Sequence, residues 1–229
     1  NNETGVIQHY RQIAEIVHDK GALFLSDATQ AFGKQPIDVL EDEIDLLAFS
    51  GHKFYGPKGI GGLYISSKAF AKPQSLIHGG SQQRNRRSGT VNVPGIVAMG
   101  KASQIARDEM EQDFKRIMPL RDRLENGLLQ IDGAFVNGGS DRLFNTTNIC
   151  FPGIDSAHLI LQLRSIAVSN GSACTAITPE PSHVLKALGL SNSDALASIR
   201  FSLGKYNTHQ EIETTIKTVT KLVQKWRDA

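Results

Sequence analysis

Charge of one sign is what this sequence lacks: 25 Lys and Arg stand against 23 Asp and Glu over 229 residues, a formal balance of +2. Such a balance supplies no counterion-release drive toward nucleic acid. The only dense basic run, Arg84-Asn85-Arg86-Arg87, therefore calls for another explanation. Cysteine is scarce too. Cys150 and Cys174 are too few for a disulfide framework, which points to a reducing, cytosol-like compartment. No apolar run reaches the roughly 18 to 20 residues that a membrane span requires. The opening Asn1-Asn2-Glu3-Thr4-Gly5 has no initiator Met, signal-peptide core or transit-peptide character, so the expectation is a segment preceded by more chain.

What is present is α/β patterning. Val6 to Lys20 carries Ile7, Tyr10, Ile13, Ile16 and Val17 near helical spacing, and Gly21 stops it. Ala22 to Leu25, Asp45 to Ser50 and Ile60 to Ile65 read as short strands. Their apolar runs lack alternation, which suggests strands covered on both faces in a mostly parallel sheet. Pro94 to Leu128 reads as one long helix or two. Beyond it come strand-like Thr147 to Phe151, helical Ser156 to Leu163, strand-like Ile166 to Ser169 and the small-residue loop Gly171-Ser172-Ala173-Cys174. Ser198 to Ser202 reads as another strand, and Thr208 to Trp226 as a closing helix with Thr208 and Glu211 spaced as a capping box. Two α/β regions are expected, 1–110 and 111–229.

Several segments carry chemistry-bearing residues. Ser50-Gly51-His52-Lys53 follows a strand and precedes a Gly-rich turn, a place where bound ligands are often met. A Lys there suits Schiff-base chemistry with an aldehyde cofactor, although a solvated surface turn is the commoner reading of such a tetrapeptide taken alone. Asp27-Ala28-Thr29-Gln30 also follows a strand. Its Asp suits a protonated pyridinium nitrogen and its Gln a phenolate oxygen, with an N-cap Asp as the alternative. Cys174 lies among small residues with Pro179 and Pro181 after it, the setting of an accessible thiol or of a small loop residue with no role, whereas Cys150 sits in a buried-looking strand and reads as a small hydrophobe. Arg200, flanked by strand residues, suits a carboxylate gripped bidentately or an internal ion pair. Thr90, in Arg87-Ser88-Gly89-Thr90, suits a phosphate or a solvated turn. The histidines show no metal-ligand spacing.

Taken together and in this order, these segments resemble the cysteine desulfurases, pyridoxal-phosphate (PLP) enzymes of the class V aminotransferase type that serve iron–sulfur cluster assembly and nitrogen fixation. The resemblance rests on Asn1 to Val6, Asp27 to Gln30, Ser50 to Lys53, Arg87 to Thr90, Gly171 to Thr175 and Ser198 to Ser202. It implies a fold-type-I PLP transferase, with 1–110 as the C-terminal portion of the large PLP-binding domain and 111–229 as the small domain bearing the cysteine loop. It implies further that Lys53 holds PLP and moves protons, that Asp27 meets the pyridinium nitrogen and Gln30 the phenolate oxygen, and that Ser50 and His52 bind the phosphate. Thr90 would reach the phosphate in the neighbouring subunit of a homodimer. Arg200, helped by Asn2, would hold the carboxylate of L-cysteine. Cys174 would take the substrate sulfur as a persulfide, releasing alanine, and pass it to an acceptor protein such as an iron–sulfur scaffold.

The resemblance also implies about 150 further N-terminal residues, supplied by an upstream segment or a separate chain, and a longer C-terminal extension in some members. The family pattern has an acidic residue and a Gly where this sequence has Gln83 and Asn85. Selenocysteine lyase, another class V PLP transferase, and a catalytically incomplete fragment are the alternatives. Transamination needs no thiol, so Cys174 weighs against an aminotransferase.

Overall fold

The computed structural model describes residues 1–71, 73–170 and 180–228. The chain divides into two units, one of Gln8–Met110 and one of Asn1–Ile7 with Glu111–Ala229. The division falls inside a long helix.

In the first unit the helical spacing read from the sequence forms α1 (Tyr10–Asp19), whose Ala14 is fully buried. Tyr10, Ala14 and Val17 pack with Phe24, Ile44 and Leu47, so one stripe of α1 closes one core. The helix stops at Gly21, whose φ of +67° is the left-handed conformation that glycine adopts without a Cβ penalty. Strands β1 (Leu25–Asp27) and β2 (Leu46–Ser50) follow, then a 3-10 turn (Gly51–Phe54) and β3 (Gly61–Ile65). A mostly parallel sheet is the expectation, and it holds for β1 and β2 alone, with Asp27 opposite Ala48. β3 runs antiparallel to β2, Ser50 opposite Gly61, because the connection from Gly51 to Ile60 reverses the chain without a crossover helix. A short turn of helix, α2 (Gln82–Asn85), and the long α3 (Val93–Leu128) complete the element order up to the division.

The second unit is built on a buried strand. β5 (Thr146–Cys150) lies between β4 (Phe135–Val136) and β6 (Ser198–Ser202), all antiparallel. Ile149, Phe151, Ile199 and Phe201 from this sheet pack with Leu124 and Leu128 of α3 and with Val219 and Val223 of α7 (His209–Arg227). Thr208 and Glu211 form the expected capping box at the start of α7. Short helices α4 (Ser156–Gln162), α5 (His183–Ala187) and α6 (Asn192–Leu196) each begin on a side-chain cap, from Asp155, Ser182 and Ser191 respectively. Of the strand expected at Ile166 to Ser169, the structure forms a single bridge between Ser169 and Arg200.

Asn1–Ile7, read from the sequence as part of the first region, pack with the second. The Leu143 N–H donates to the Gly5 carbonyl at 2.9 Å, the Ile7 N–H to the Asp141 carbonyl at 3.0 Å, and Asn148 Nδ2 to the Glu3 carbonyl at 3.0 Å. At Gly5, with φ of +79°, an added Cβ would stand 3.0 Å from the Thr146 side chain. The strip lies against the buried strand closely enough to need glycine.

Candidate functional site

Asp27 ends β1, and its Oδ1 accepts the Thr29 N–H at 2.9 Å. The same carboxylate that sequence reading reserved for a cofactor thus also fixes the turn that follows the strand, in an Asx-type bond. The Ala28 N–H donates to the Ala48 carbonyl at 2.8 Å, which extends the β1–β2 pairing, and the Phe32 N–H then donates back to Ala28. The chain therefore coils immediately, placing Gln30 and Lys34 four residues apart on one side of the turn. Lys34 Nζ donates to the Gln30 carbonyl at 2.9 Å and to the Lys53 carbonyl at 3.2 Å. Burial, and then the neighbouring charge of Lys53, push the Lys34 ammonium down to about 8.

Ser50, His52 and Lys53 sit where β2 gives way to the 3-10 turn. Ser50 Oγ and His52 Nδ1 are 2.9 Å apart and hydrogen bonded, and the side chains of His52 and Lys53 are exposed. The turn is drawn tight by the Gly51 N–H donating to the Ile60 carbonyl and the Gly56 N–H donating to the Gly51 carbonyl, both at 2.9 Å. Three glycines are required by close approach. A Cβ would stand 2.8 Å from the Gly51 carbonyl oxygen at Gly56, 2.6 Å from the Phe49 carbonyl oxygen at Gly61, and 2.2 Å from the Phe49 ring at Gly62. That ring stacks on Phe32 at 4.3 Å, and Phe32 meets Phe54 at 4.7 Å, so Phe54 of the turn is held in an aromatic trio. Gly62→Ala is expected to lower stability by about 1–3 kcal/mol through overpacking against Phe49, read as a shift of the urea midpoint.

The basic run adopts an unusual backbone. Gln83, Arg84 and Asn85 have φ of +50°, +57° and +61°, three consecutive residues in the left-handed region. Ser88 Oγ donates to the Gly80 carbonyl at 2.7 Å and the Gly89 N–H to Gln82 Oε1 at 3.2 Å, which ties the loop back on itself ahead of the exposed Thr90. Among the described residues no hydrogen bond joins Thr90 to the Ser50–Lys53 turn. Because Gln83 is exposed and glycine takes the left-handed conformation without a Cβ penalty, Gln83→Gly is expected to raise stability by about 1 kcal/mol. A thermal melt reads that gain, and a lowered midpoint would show that the left-handed backbone carries no strain.

In the second unit the structure brings Arg200 and Asn2 together. Arg200 lies in β6 opposite Asn148, and its Nη1 donates to the Asn2 carbonyl at 2.7 Å. Its Nε is buried and has no partner among the described residues. Burial pulls the guanidinium down, and the charge of Glu3 opposes that pull. Glu3 itself is only 4% exposed, and its Oε2 accepts Ser182 Oγ at 2.6 Å. Cys174 lies outside the described residues. Cys150 is the buried hydrophobe expected: its thiol donates to the Asp194 carbonyl at 3.4 Å and is pushed up to about 11, chiefly by desolvation.

Sequence reading missed Lys34 and Glu3. Lys34 carried one signal, its spacing of four from Gln30, which marks a shared side only if the turn is helical. Among the described residues no group of His, Cys, Asp and Glu has the makings of a metal site, and no helix is long and apolar enough to cross a membrane.

The chain is 48% identical over all of its 229 residues to the cysteine desulfurase IscS of Histophilus somni (strain 2336), of which it covers 57%. It therefore spans somewhat more than half the length of the curated relatives it matches. A NifS-like protein from Rickettsia africae ESF-5 matches with a TM-score of 0.88 at 33% identity, over 98% of this chain and 60% of that one. SspA in complex with cysteine matches with a TM-score of 0.73 at 34% identity, over 91% of this chain and 58% of that one. The family model described as Aminotransferase class-V matches residues 1–215, nearly the whole sequence. The chain belongs to the class-V aminotransferase family.

Proposed function

We propose that the protein to which this chain belongs is a PLP-dependent cysteine desulfurase that converts L-cysteine to L-alanine and carries the sulfur away on Cys174. One observation supports this above the others. The two segments expected to hold the cofactor, Asp27–Gln30 and Ser50–Lys53, leave two adjacent parallel strands at the same end, and Lys34 bonds the main chains of both. Ligands of α/β sheets bind at such strand ends. The chemistry of the groups fits PLP: an exposed carboxylate in Asp27, an exposed amine in Lys53, and a bonded hydroxyl and imidazole in Ser50 and His52 whose other polar positions suit a phosphate. The relatives named as desulfurases and the SspA structure with cysteine support the choice of substrate.

When bound, PLP supplies an electron sink for a carbanion on the substrate. The Lys53 amine would hold the cofactor covalently, then take and return protons at the substrate carbons. Asp27 would keep the ring nitrogen protonated, Gln30 would donate to the phenolate oxygen, and Ser50 and His52 would donate to the phosphate. Thr90 would serve the phosphate of a neighbouring subunit in a homodimer. Arg200 would grip the substrate carboxylate with Asn2 beside it. The Cys174 thiolate would attack the substrate sulfur. As the new S–S bond forms, the substrate C–S bond breaks, its electron pair stays on carbon, and protonation there completes alanine. The persulfide then passes to an acceptor protein of the iron–sulfur scaffold or thiolation kind.

The test uses the intact protein. After incubation with PLP and borohydride reduction, peptide mapping is expected to find the cofactor on Lys53. After PLP and L-cysteine, a non-reducing mass spectrum is expected to gain one sulfur atom on Cys174, and Cys174→Ala to lose that gain while retaining PLP. Sulfide release undiminished in Cys174→Ala would overturn the assignment of the sulfur carrier.

A further inference from the structure

We propose that Lys34 is a positioning residue of the cofactor site, its ammonium holding together the two turns that present Gln30 and Lys53 by donating to both of their main-chain carbonyls. The proposal rests on reading Lys53 as the residue that carries the cofactor. Its geometric basis is the pair of bonds at 2.9 Å and 3.2 Å, which cross from the turn after β1 to the turn after β2. Each carbonyl belongs to a residue whose side chain is assigned to the cofactor, on a different element. One side chain therefore ties together the main chains of two residues assigned to the cofactor.

The cost of this arrangement argues that it serves more than packing. Among the described residues Lys34 forms no ion pair with a carboxylate, and the charged group that acts on it is another cation, Lys53. A methionine would fill the same space with no charge to desolvate. An amine that burial and a like charge both disfavour is a common mark of functional sites. The Lys53 turn is anchored by its buried Gly51 and Phe54 but leaves the side chains at 52 and 53 exposed, and the Lys34 bond adds a restraint at residue 53 itself.

The linkage has a definite sign. The folded-state value of about 8 lies below the ordinary 10.5, so charged Lys34 burdens the fold fully below about pH 8, and the burden fades between about 8 and 10.5. Lys34→Met should thus melt no lower than the wild type at pH 7, and any advantage should vanish by about pH 10.5.

The experiment compares wild type, Lys34→Met and Lys34→Arg in the intact apo protein. The readouts are PLP affinity by absorbance titration, amide exchange over residues 51–56, and melting temperature. Lys34→Met is expected to bind PLP at least about 10-fold more weakly and to exchange faster over that turn, with an unchanged or higher melting temperature at pH 7. Lys34→Arg, which keeps donors for the two carbonyls, is expected to recover most of the affinity. Wild-type PLP affinity in Lys34→Met would overturn the proposal, as would affinity lost only in step with melting temperature and not recovered by Lys34→Arg. Borohydride trapping of PLP on a residue other than Lys53 in the wild type would instead overturn the functional reading itself.

Discussion

Arg142→Met in the intact protein is expected to cost about 3 kcal/mol, the loss that follows when one partner of a buried ion pair is removed. Arg142 and Glu125 are 8% and 15% exposed, and they meet through two parallel bonds, Nη1 to Oε2 at 2.9 Å and Nη2 to Oε1 at 3.0 Å. Thr147 Oγ1 donates to the same carboxylate at 2.6 Å, so β5 and α3 share one charged knot in the second unit. Removing the cation leaves that carboxylate in a poorly hydrated site. Replacing both by Met is expected to cost less than either single change, which a double-mutant cycle in urea would read. Additive losses would show that the pair is not coupled.

The same knot sets a pH response. Burial pushes the Glu125 carboxyl up, but the bonds from Arg142 and Thr147 outweigh it and hold the group below its ordinary value of 4.5. A lowered carboxyl adds stability above its unfolded-state value, and that contribution drains away as pH falls through the folded-state value. Glu125→Gln should therefore be less stable than wild type at pH 7, with the difference beginning to close as pH falls below about 4.5.

Arg200→Gln carries the largest expected effect on activity. If Arg200 grips the substrate carboxylate, kcat/KM for L-cysteine should fall about 100-fold or more, mainly through KM. PLP trapping on Lys53 should be unaffected, because the two residues lie in different units. A change confined to kcat with KM unmoved would remove Arg200 from carboxylate binding. Among the described residues Nε has no partner, so the guanidinium has a donor left for a ligand.

Local rules carried much of the fold. The strands at Asp45, Ile60 and Ser198 and the capping box at Thr208 were legible because apolar runs, glycine stops and a Thr–Glu spacing act over a few residues. The antiparallel return of β3 was less so, since apolar runs report burial on both faces and say nothing of direction. Asn1–Ile7 were assigned by adjacency in sequence, whereas their partners are Asp141, Leu143 and Asn148. Within the candidate site, Asp27, Gln30, Ser50, His52 and Lys53 stood out because each sits at a strand end. Lys34 did not, because a lone lysine reads as a solvated charge until its desolvation by the tertiary structure is known.

The Asn2–Arg200 bond joins residues 198 positions apart. At ribosomal rates of about 5–20 residues per second, roughly 10–40 s separate the synthesis of the two partners. Until the middle of the second unit is made, Asn1–Ile7 have no Leu143 or Asn148 to lie against, and Asn2 lacks Arg200 for longer still. The Asn2–Arg200 contact therefore forms well after the turns that follow β1 and β2 have been made. A polypeptide synthesised only as far as the turns after β1 and β2 would carry Asp27–Gln30 and Ser50–Lys53 without the bond that ties Asn2 to Arg200.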